Sequence, residues 1–232
     1  MKIDKAGTFV LTKAELKALL AHACNDFTRP HAYGVTFNVA KGHAFATDGH
    51  RLAVLRPSVS DVTVSDVADR DNAEWDAAPA FIVSRTDCEQ ALRACSGKKH
   101  VIAVSWRATN ALVEIRDKAS SAVLAAVPST AVDAFVIPID GALPSYAYEG
   151  PEWSACPCVG VDARYLADLA LVQAACVEKN PWTDMIAPPD HLSAFDFRVG
   201  EFWRVVLMPL RSDRAERVAK LARERGDARR VA

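Results

Sequence analysis

No stretch of about 18 consecutive apolar residues occurs in this 232-residue chain, so no transmembrane helix is expected. The opening residues, MKIDKAGTFVLTKAEL, lack an apolar core followed by a small-residue cleavage site. They therefore do not read as a secretory signal, and the expected location is cytoplasmic. There is no Gly-rich phosphate loop, no nucleophile motif and no pair of metal ligands. Cysteine is scattered at Cys24, Cys88, Cys95, Cys156, Cys158 and Cys176, and a cytosolic chain keeps such thiols reduced. Cys156 and Cys158 form a Cys-Pro-Cys triplet, but no second Cys or His pair stands at zinc-site spacing. Three of the other Cys fall in apolar helical stripes, where a thiol acts as a small core residue. These absences point away from an enzyme and from any metal or cofactor.

What is present is ordinary globular composition, 50% apolar and 25% charged, with a net charge of −1. The charge is unevenly placed. Arg211 to Ala232 carries eight basic and four acidic residues, a net of +4, which leaves −5 on the rest. Most of that segment, 212–232, reads as a basic helical tail: either a solvated end or a contact for nucleic acid or a partner.

One pattern recurs three times. FVLTKAELKALLAHAC, FIVSRTDCEQALRACS and CVGVDARYLADLALVQAAC each begin with a short β-type run, continue with a capping residue and end in a helix. The caps are Thr12, Ser84 and Asp162, whose side-chain oxygens can accept from the free N–H groups of a first turn. Thr12 with Glu15 predicts a capping box. Counting 4, 7, 8 and 11 residues from each cap gives Leu16, Leu19, Leu20 and Ala23 in the first copy. The same count gives Cys88, Ala91, Leu92 and Cys95 in the second, then Leu166, Leu169, Ala170 and Gln173 in the third. The shared phase predicts three amphipathic helices laid on sheet. Strand-like runs follow each helix, with alternation clearest in VTFNV and ALVEI and turn residues in AKG, RATN and RVGE.

The expected fold class is therefore α+β, built from repeated β-α-β-β-β units with antiparallel sheets and helices on one face. Two units, about 8–57 and 79–145, occupy a first region, 1–150. An acidic loop, 58–80, with six acids and one base, joins them. A third unit spans 151–211.

Between two apolar runs stands FATDGHRLAVL, Phe45 to Leu55. Asp48, His50 and Arg51 look like acid–base groups with an anion clamp, but a general base needs a partner and a concave site. Asp48-Gly49 reads better as a tight turn that needs glycine for positive φ.

At this point the chain resembles a known family. ATDGHRLAV is similar to the signature of the bacterial DNA polymerase III beta subunit, the sliding clamp. TRPHAYGVTF resembles the segment opening the second strand of the clamp's middle domain. Leu143 to Tyr146, LPSY, resembles the FPDY that closes that domain, and Val205 to Arg211, VVLMPLR, resembles the VVMPMRL with which clamps end. The likeness runs from about Phe9 to Arg211. It lacks the first domain of a clamp and the first half of the last.

The resemblance implies a DNA-clamp fold and a non-enzymatic processivity factor for DNA replication or repair. The implied partners are duplex DNA, bound without sequence preference, and polymerases or other client proteins that dock through a short peptide motif. Self-association is a further expectation. Carried over by motif, the client pocket comprises Thr47, Gly49, His50, Arg51 and Leu52 from the first unit. Val206, Met208, Pro209, Leu210 and Arg211 come from the chain end, and Pro151 from a third wall. Apolar Leu52, Val206, Met208 and Leu210 suit a peptide, and His50 and Arg51 can hold its carbonyl or carboxylate. The other reading is that the turn packs on the last strand as core. The implied DNA contacts are Lys13, Lys17, Arg85, Arg93, Lys98 and Lys99, on or beside the first two helices, where they can meet phosphates without reading bases. Solvated helix faces are the plainer reading of the same residues. An alternative function stays open: a regulator or decoy, of phage or mobile-element origin, that binds clamp clients and never encircles DNA.

Overall fold

The computed structural model describes residues 2–3, 8–39, 41–56, 80–107, 110–127, 129, 131–132, 134–139, 142–144, 161–176, 178, 181–186 and 194–209. The acidic loop, Cys156 and Cys158, Pro151, Leu210, Arg211 and the basic tail lie outside the described residues.

The first unit contains β2 (Phe9–Leu11), α1 (Lys13–His22), β3 (Gly34–Asn38), β4 (His43–Thr47) and β5 (Arg51–Leu55), preceded by a short β1 (Lys2–Ile3). The second contains β6 (Phe81–Ser84), α2 (Arg85–Ala94), β7 (His100–Arg107), β8 (Asn110–Asp117) and β9 (Val123–Val127). The third contributes α3 (Ala163–Ala175), β10 (Thr183–Ile186), β11 (Phe195–Val199) and β12 (Trp203–Leu207). The chain is α+β with antiparallel sheets, as the sequence predicts.

Local chemistry sets the helix starts. Thr12 Oγ1 accepts from Glu15 N–H at 3.2 Å and Glu15 Oε2 accepts from Thr12 N–H at 2.7 Å, the reciprocal pair of a capping box. Ser84 caps α2 through the Asp87 N–H, and Asp162 caps α3 through the Arg164 N–H. Hydrogen bonds from the Arg164 guanidinium, and then from its backbone N–H, hold the half-buried Asp162 carboxyl down at a pKa of about 2.

The strands do not stay with their own units. A five-stranded sheet runs β1-β2-β7-β8-β9, so β2 joins the sheet of the second unit. A seven-stranded sheet runs β10-β11-β12-β5-β4-β3-β6, so β6 joins that of the first. Gly34 sits where β3 and β6 approach closely: a Cβ there would fall 2.1 Å from the Val83 carbonyl oxygen. The seven-stranded sheet then continues from the first unit into the third through β5 and β12, which pair antiparallel with Leu52 opposite Val206.

The main core fills the space between the sheets and the helices. It gathers Phe9, Leu11, Leu16, Leu19, Phe37, Ile102, Val113, Ile115, Phe197 and Val205, among others. A second cluster lies on the opposite face of the seven-stranded sheet. There Phe45, Leu52, Val54 and Val206 are covered by Ala194 and by Val136, Ile139 and Leu143 of the connecting segment. Alternation explains the division: Ala53 and Leu55 point to the helices, Leu52 and Val54 away from them.

The expected apolar stripe holds for α1, where Leu16, Leu19, Leu20 and Ala23 are buried. It holds for α2 in Cys88, Ala91 and Cys95, with Leu92 half-buried. It fails for α3. Leu166, Ala170 and Gln173 are exposed there, and the buried residues are Val172 and Ala175. The helix is turned so that Tyr165, Leu169 and Val172 meet the core, and α3 packs chiefly on α1 rather than between two neighbours.

Candidate functional site: the corner between β5 and β12

The Thr47–Leu52 segment is a tight turn built by its own side chains. Thr47 Oγ1 donates to the Arg51 carbonyl at 2.6 Å and accepts from Gly49 N–H at 3.0 Å. Asp48 Oδ1 accepts from the N–H groups of His50 at 2.9 Å and Arg51 at 3.1 Å. Gly49 has φ +92°, the left-handed region that a Cβ disfavours, with open space around it. Asp48 is therefore a turn residue and not half of an acid–base pair.

The β5–β12 ladder brings the two halves of the sequence-predicted pocket together. Met208 N–H donates to the His50 carbonyl at 2.8 Å, extending the ladder past Leu207 opposite Arg51. Gly49 and His50 are exposed, Thr47 is half-buried, Met208 is exposed and Pro209 is buried. Leu52 and Val206 sit beneath the connecting segment, in contact with Ile139 and its neighbours. They form the floor of this corner and not its open wall. Leu210, Arg211 and Pro151 are outside the described residues.

Arg51 is placed otherwise than the pocket reading requires. Its side chain points to the helix-covered face, opposite to Leu52, and is held there on three sides. Nε donates to Asp48 Oδ2 at 2.9 Å, Nη1 pairs with Asp168 of α3, and the guanidinium lies 4.5 Å over the ring of Tyr165. Arg51 thus ties α3 of the third unit to the turn of the first, and is not available to a peptide on the outer face. Strand alternation is the cause: adjacent residues on β5 cannot line one cleft.

His22 lies beside this staple, fully buried on α1. Its Nδ1 bonds to the Ala18 carbonyl at 2.9 Å, and Nε2 has no hydrogen-bond partner. Burial lowers its pKa; the Ala18 bond raises it, and the Arg51 charge lowers it further. On the opposite face, Asp196 is buried and held bidentately by Arg204, at 2.8 and 2.9 Å, while Arg204 also donates to the Pro144 carbonyl. That pair anchors the connecting segment over the outer cluster.

The candidate DNA contacts divide. Lys13, Lys17, Arg93, Lys98 and Lys99 are exposed on or next to α1 and α2, with Lys13 Nζ donating to the Cys95 carbonyl at 2.8 Å. Arg85 is turned inward. It pairs with Glu89 at 3.1 Å and donates to the carbonyls of Leu20 and Ala23 at the end of α1, so it closes a helix terminus and does not face solvent phosphate. Among the described residues no group of three His, Cys, Asp or Glu is placed to hold a metal ion, and no helix is long and apolar enough to cross a membrane.

Sequence reasoning missed Tyr165, Asp168, Arg204 and Asp196. Tyr165, Asp168 and Val172 do share a helical face, but nothing in the sequence names Arg51 as their partner.

No protein-family model matches the chain, and no curated protein matches it. Solved structures do. The DNA polymerase sliding clamp from Pseudomonas aeruginosa is similar over 88% of this chain and 67% of that one, at 14% identity and a TM-score of 0.53. The DNA polymerase III beta subunit from Thermotoga maritima is similar over 91% of this chain and 68% of that one, at 12% identity and 0.53. The pol III beta of Caulobacter crescentus is similar over 91% and 68%, at 16% and 0.54. The fold is that of the sliding clamps, and the chain spans about two thirds of their length.

Proposed function

We propose that this chain is a clamp-like, non-enzymatic accessory protein of DNA replication or repair that docks short client peptides at the β5–β12 corner. The observation that carries this reading is the joining of two distant segments, Thr47–Leu52 and Val206–Pro209, by a backbone ladder that ends in the Met208–His50 hydrogen bond. Exposed Met208 and His50, over a floor of Leu52 and Val206, offer an adaptable apolar contact beside a polar ring. The clamp fold supports the reading, and the described site residues offer no catalytic constellation to compete with it.

A peptide of the Gln-x-x-Leu-Phe kind should bind with micromolar affinity, about −8 kcal/mol. Met208→Glu places a charge against the apolar floor and should weaken binding at least tenfold. Fluorescence polarisation measures both. Absence of saturable binding, or binding indifferent to Met208→Glu, overturns the reading.

DNA binding is the second element. Lys13, Lys17, Arg93, Lys98 and Lys99 supply the exposed cations of the helix layer. Two observations favour the regulator that binds clients without DNA: Arg85 is committed to α1, and Lys13 is tethered to Cys95. A salt-dependent affinity for duplex DNA that falls on Lys17→Ala and Lys98→Ala supports encirclement or tracking of DNA; no measurable affinity supports the regulator.

A further inference from the structure

The seven-stranded sheet ends abruptly at β10. On its helix-covered face a row of side chains crosses the sheet through paired positions: Ala46, Ala53, Val205, Phe197 and Met185. The first four are at most 5% exposed; Met185 is 58% exposed. Beside it Trp182 is 51% exposed, and Leu166 of α3 is 43% exposed. Leu166 shares a helical face with Gln173, seven residues on, and Gln173 Nε2 donates to Thr183 Oγ1 of β10 at 3.0 Å. Leu166 therefore overlooks the same edge. Among the described residues the core row is interrupted at β10 for want of a cover, not for want of apolar residues.

The first unit shows what such an edge accepts. Its strand β3 holds the position in that unit that β10 holds in the third, next after the helix, and β3 is closed by an antiparallel strand, β6, from another unit. Among the described residues nothing closes β10. The four-residue strand carries one charge, Asp184, and no proline, so only its shortness and that carboxylate oppose pairing at this edge.

We propose that two copies of this chain join edge to edge through β10, about a two-fold axis at Met185, with the Leu166 faces of their α3 helices closing over the join. The register follows from the pleat. Keeping both helix layers on the same side requires that opposed residues have the same orientation, so the axis passes through residue 184 or residue 185. An axis at 184 sets two Asp184 carboxylates directly opposite each other, which is destabilising. An axis at 185 opposes Met185 to Met185 on the helix side and Asp184 to Ile186 on the other. The core row then runs unbroken from one copy to the next. This self-complementarity favours a second copy over an unrelated strand, and the contact is isologous. It does not depend on client or DNA binding.

Light scattering on the full chain at tens of micromolar should give twice the 25.1 kDa chain mass. Met185→Arg sets two cations on the axis and should raise the dimer dissociation constant at least tenfold, with Leu166→Glu acting in the same direction. Both positions are exposed, so the variants should melt as the parent chain does below the dissociation range. Met185→Cys should yield a cross-linked dimer under mild oxidation that the parent chain does not, because directly opposed residues lie within disulfide reach; Thr183→Cys, off the axis, should not. A mass of 25.1 kDa at every concentration overturns the proposal. So does a dimer that survives Met185→Arg, as one built on the other open edge at Val123 and Leu124 would, or a dimer in which Met185→Cys fails to cross-link.

Discussion

The third unit has two borders, and they are finished very differently. Along β12 it is sealed to the first unit by a five-pair ladder, by packing of α3 on α1 and by the Arg51–Asp168–Tyr165 staple. Along β10 the described strands of the same sheet end, with Trp182 and Met185 exposed. The residue types differ little between the borders: Val205 and Phe197 on one side, Met185 and Ile186 on the other. The difference is in what covers them. A strand acquires a buried face only when a neighbour and a helix are both in place, so one unit can be core at one edge and surface at the other.

The largest effect should separate two positions in one row. Phe197→Ala removes a ring from the buried end and should cost about 3–4 kcal/mol in urea or thermal unfolding. Met185→Ala, one strand further out, should change monomer stability by less than about 0.5 kcal/mol at dilutions where copies do not pair. Equal costs would mean that the β10 border is covered in solution even in the monomer.

Next in size is the staple. Arg51→Ala leaves the partly buried Asp48 and Asp168 carboxylates without their cation and Tyr165 without its contact. A loss of about 2 kcal/mol is expected, or roughly 4–8 °C in melting temperature for a chain of this size. A neutral outcome would show that the ladder alone seals this border.

Smallest is a pH effect at the same seam. His22 has its folded pKa lowered by burial, so the unfolded chain binds its proton first as pH falls. Stability from neutral His22 is therefore complete above the ordinary value of about 6.5 and is lost as pH falls from there toward the lowered folded value, with a slope approaching about 1.4 kcal/mol per pH unit between the two. Arg51, Asp48 and Asp168 are the charges that face it. Melting curves at pH 7.5 and 5.5 should diverge in the parent chain and converge in His22→Gln, which keeps no titrating group. Divergence retained in the variant would assign the acid sensitivity to another group.

Much of the fold was legible. The caps at Thr12, Ser84 and Asp162 act over a few residues, and the alternation of VTFNV and ALVEI reflects one strand at a time, so both could be read locally. The turn at Asp48-Gly49 was legible for the same reason, as was its place next to the chain end, through likeness of motif. The α3 stripe was misread because a period of 3.6 shows that a helix has an apolar face but not which neighbour will be there to meet it. Arg51 was misread because a motif lists residues in order and takes no account of which side of a strand each one occupies.

The sequence by itself determined the repeated strand–cap–helix plan, the α+β class, the left-handed turn at Gly49 and the uneven charge, since each depends on neighbours within a few residues. Only the tertiary structure decided that β2 and β6 exchange sheets, that β5 continues into β12, that Arg51 and Arg85 face inward, and that β10 is an edge among the described strands. Those outcomes rest on pairings between residues more than a hundred positions apart in the case of Arg51 and Asp168, and the free energy of such a pairing depends on burial and on partners that no local pattern encodes.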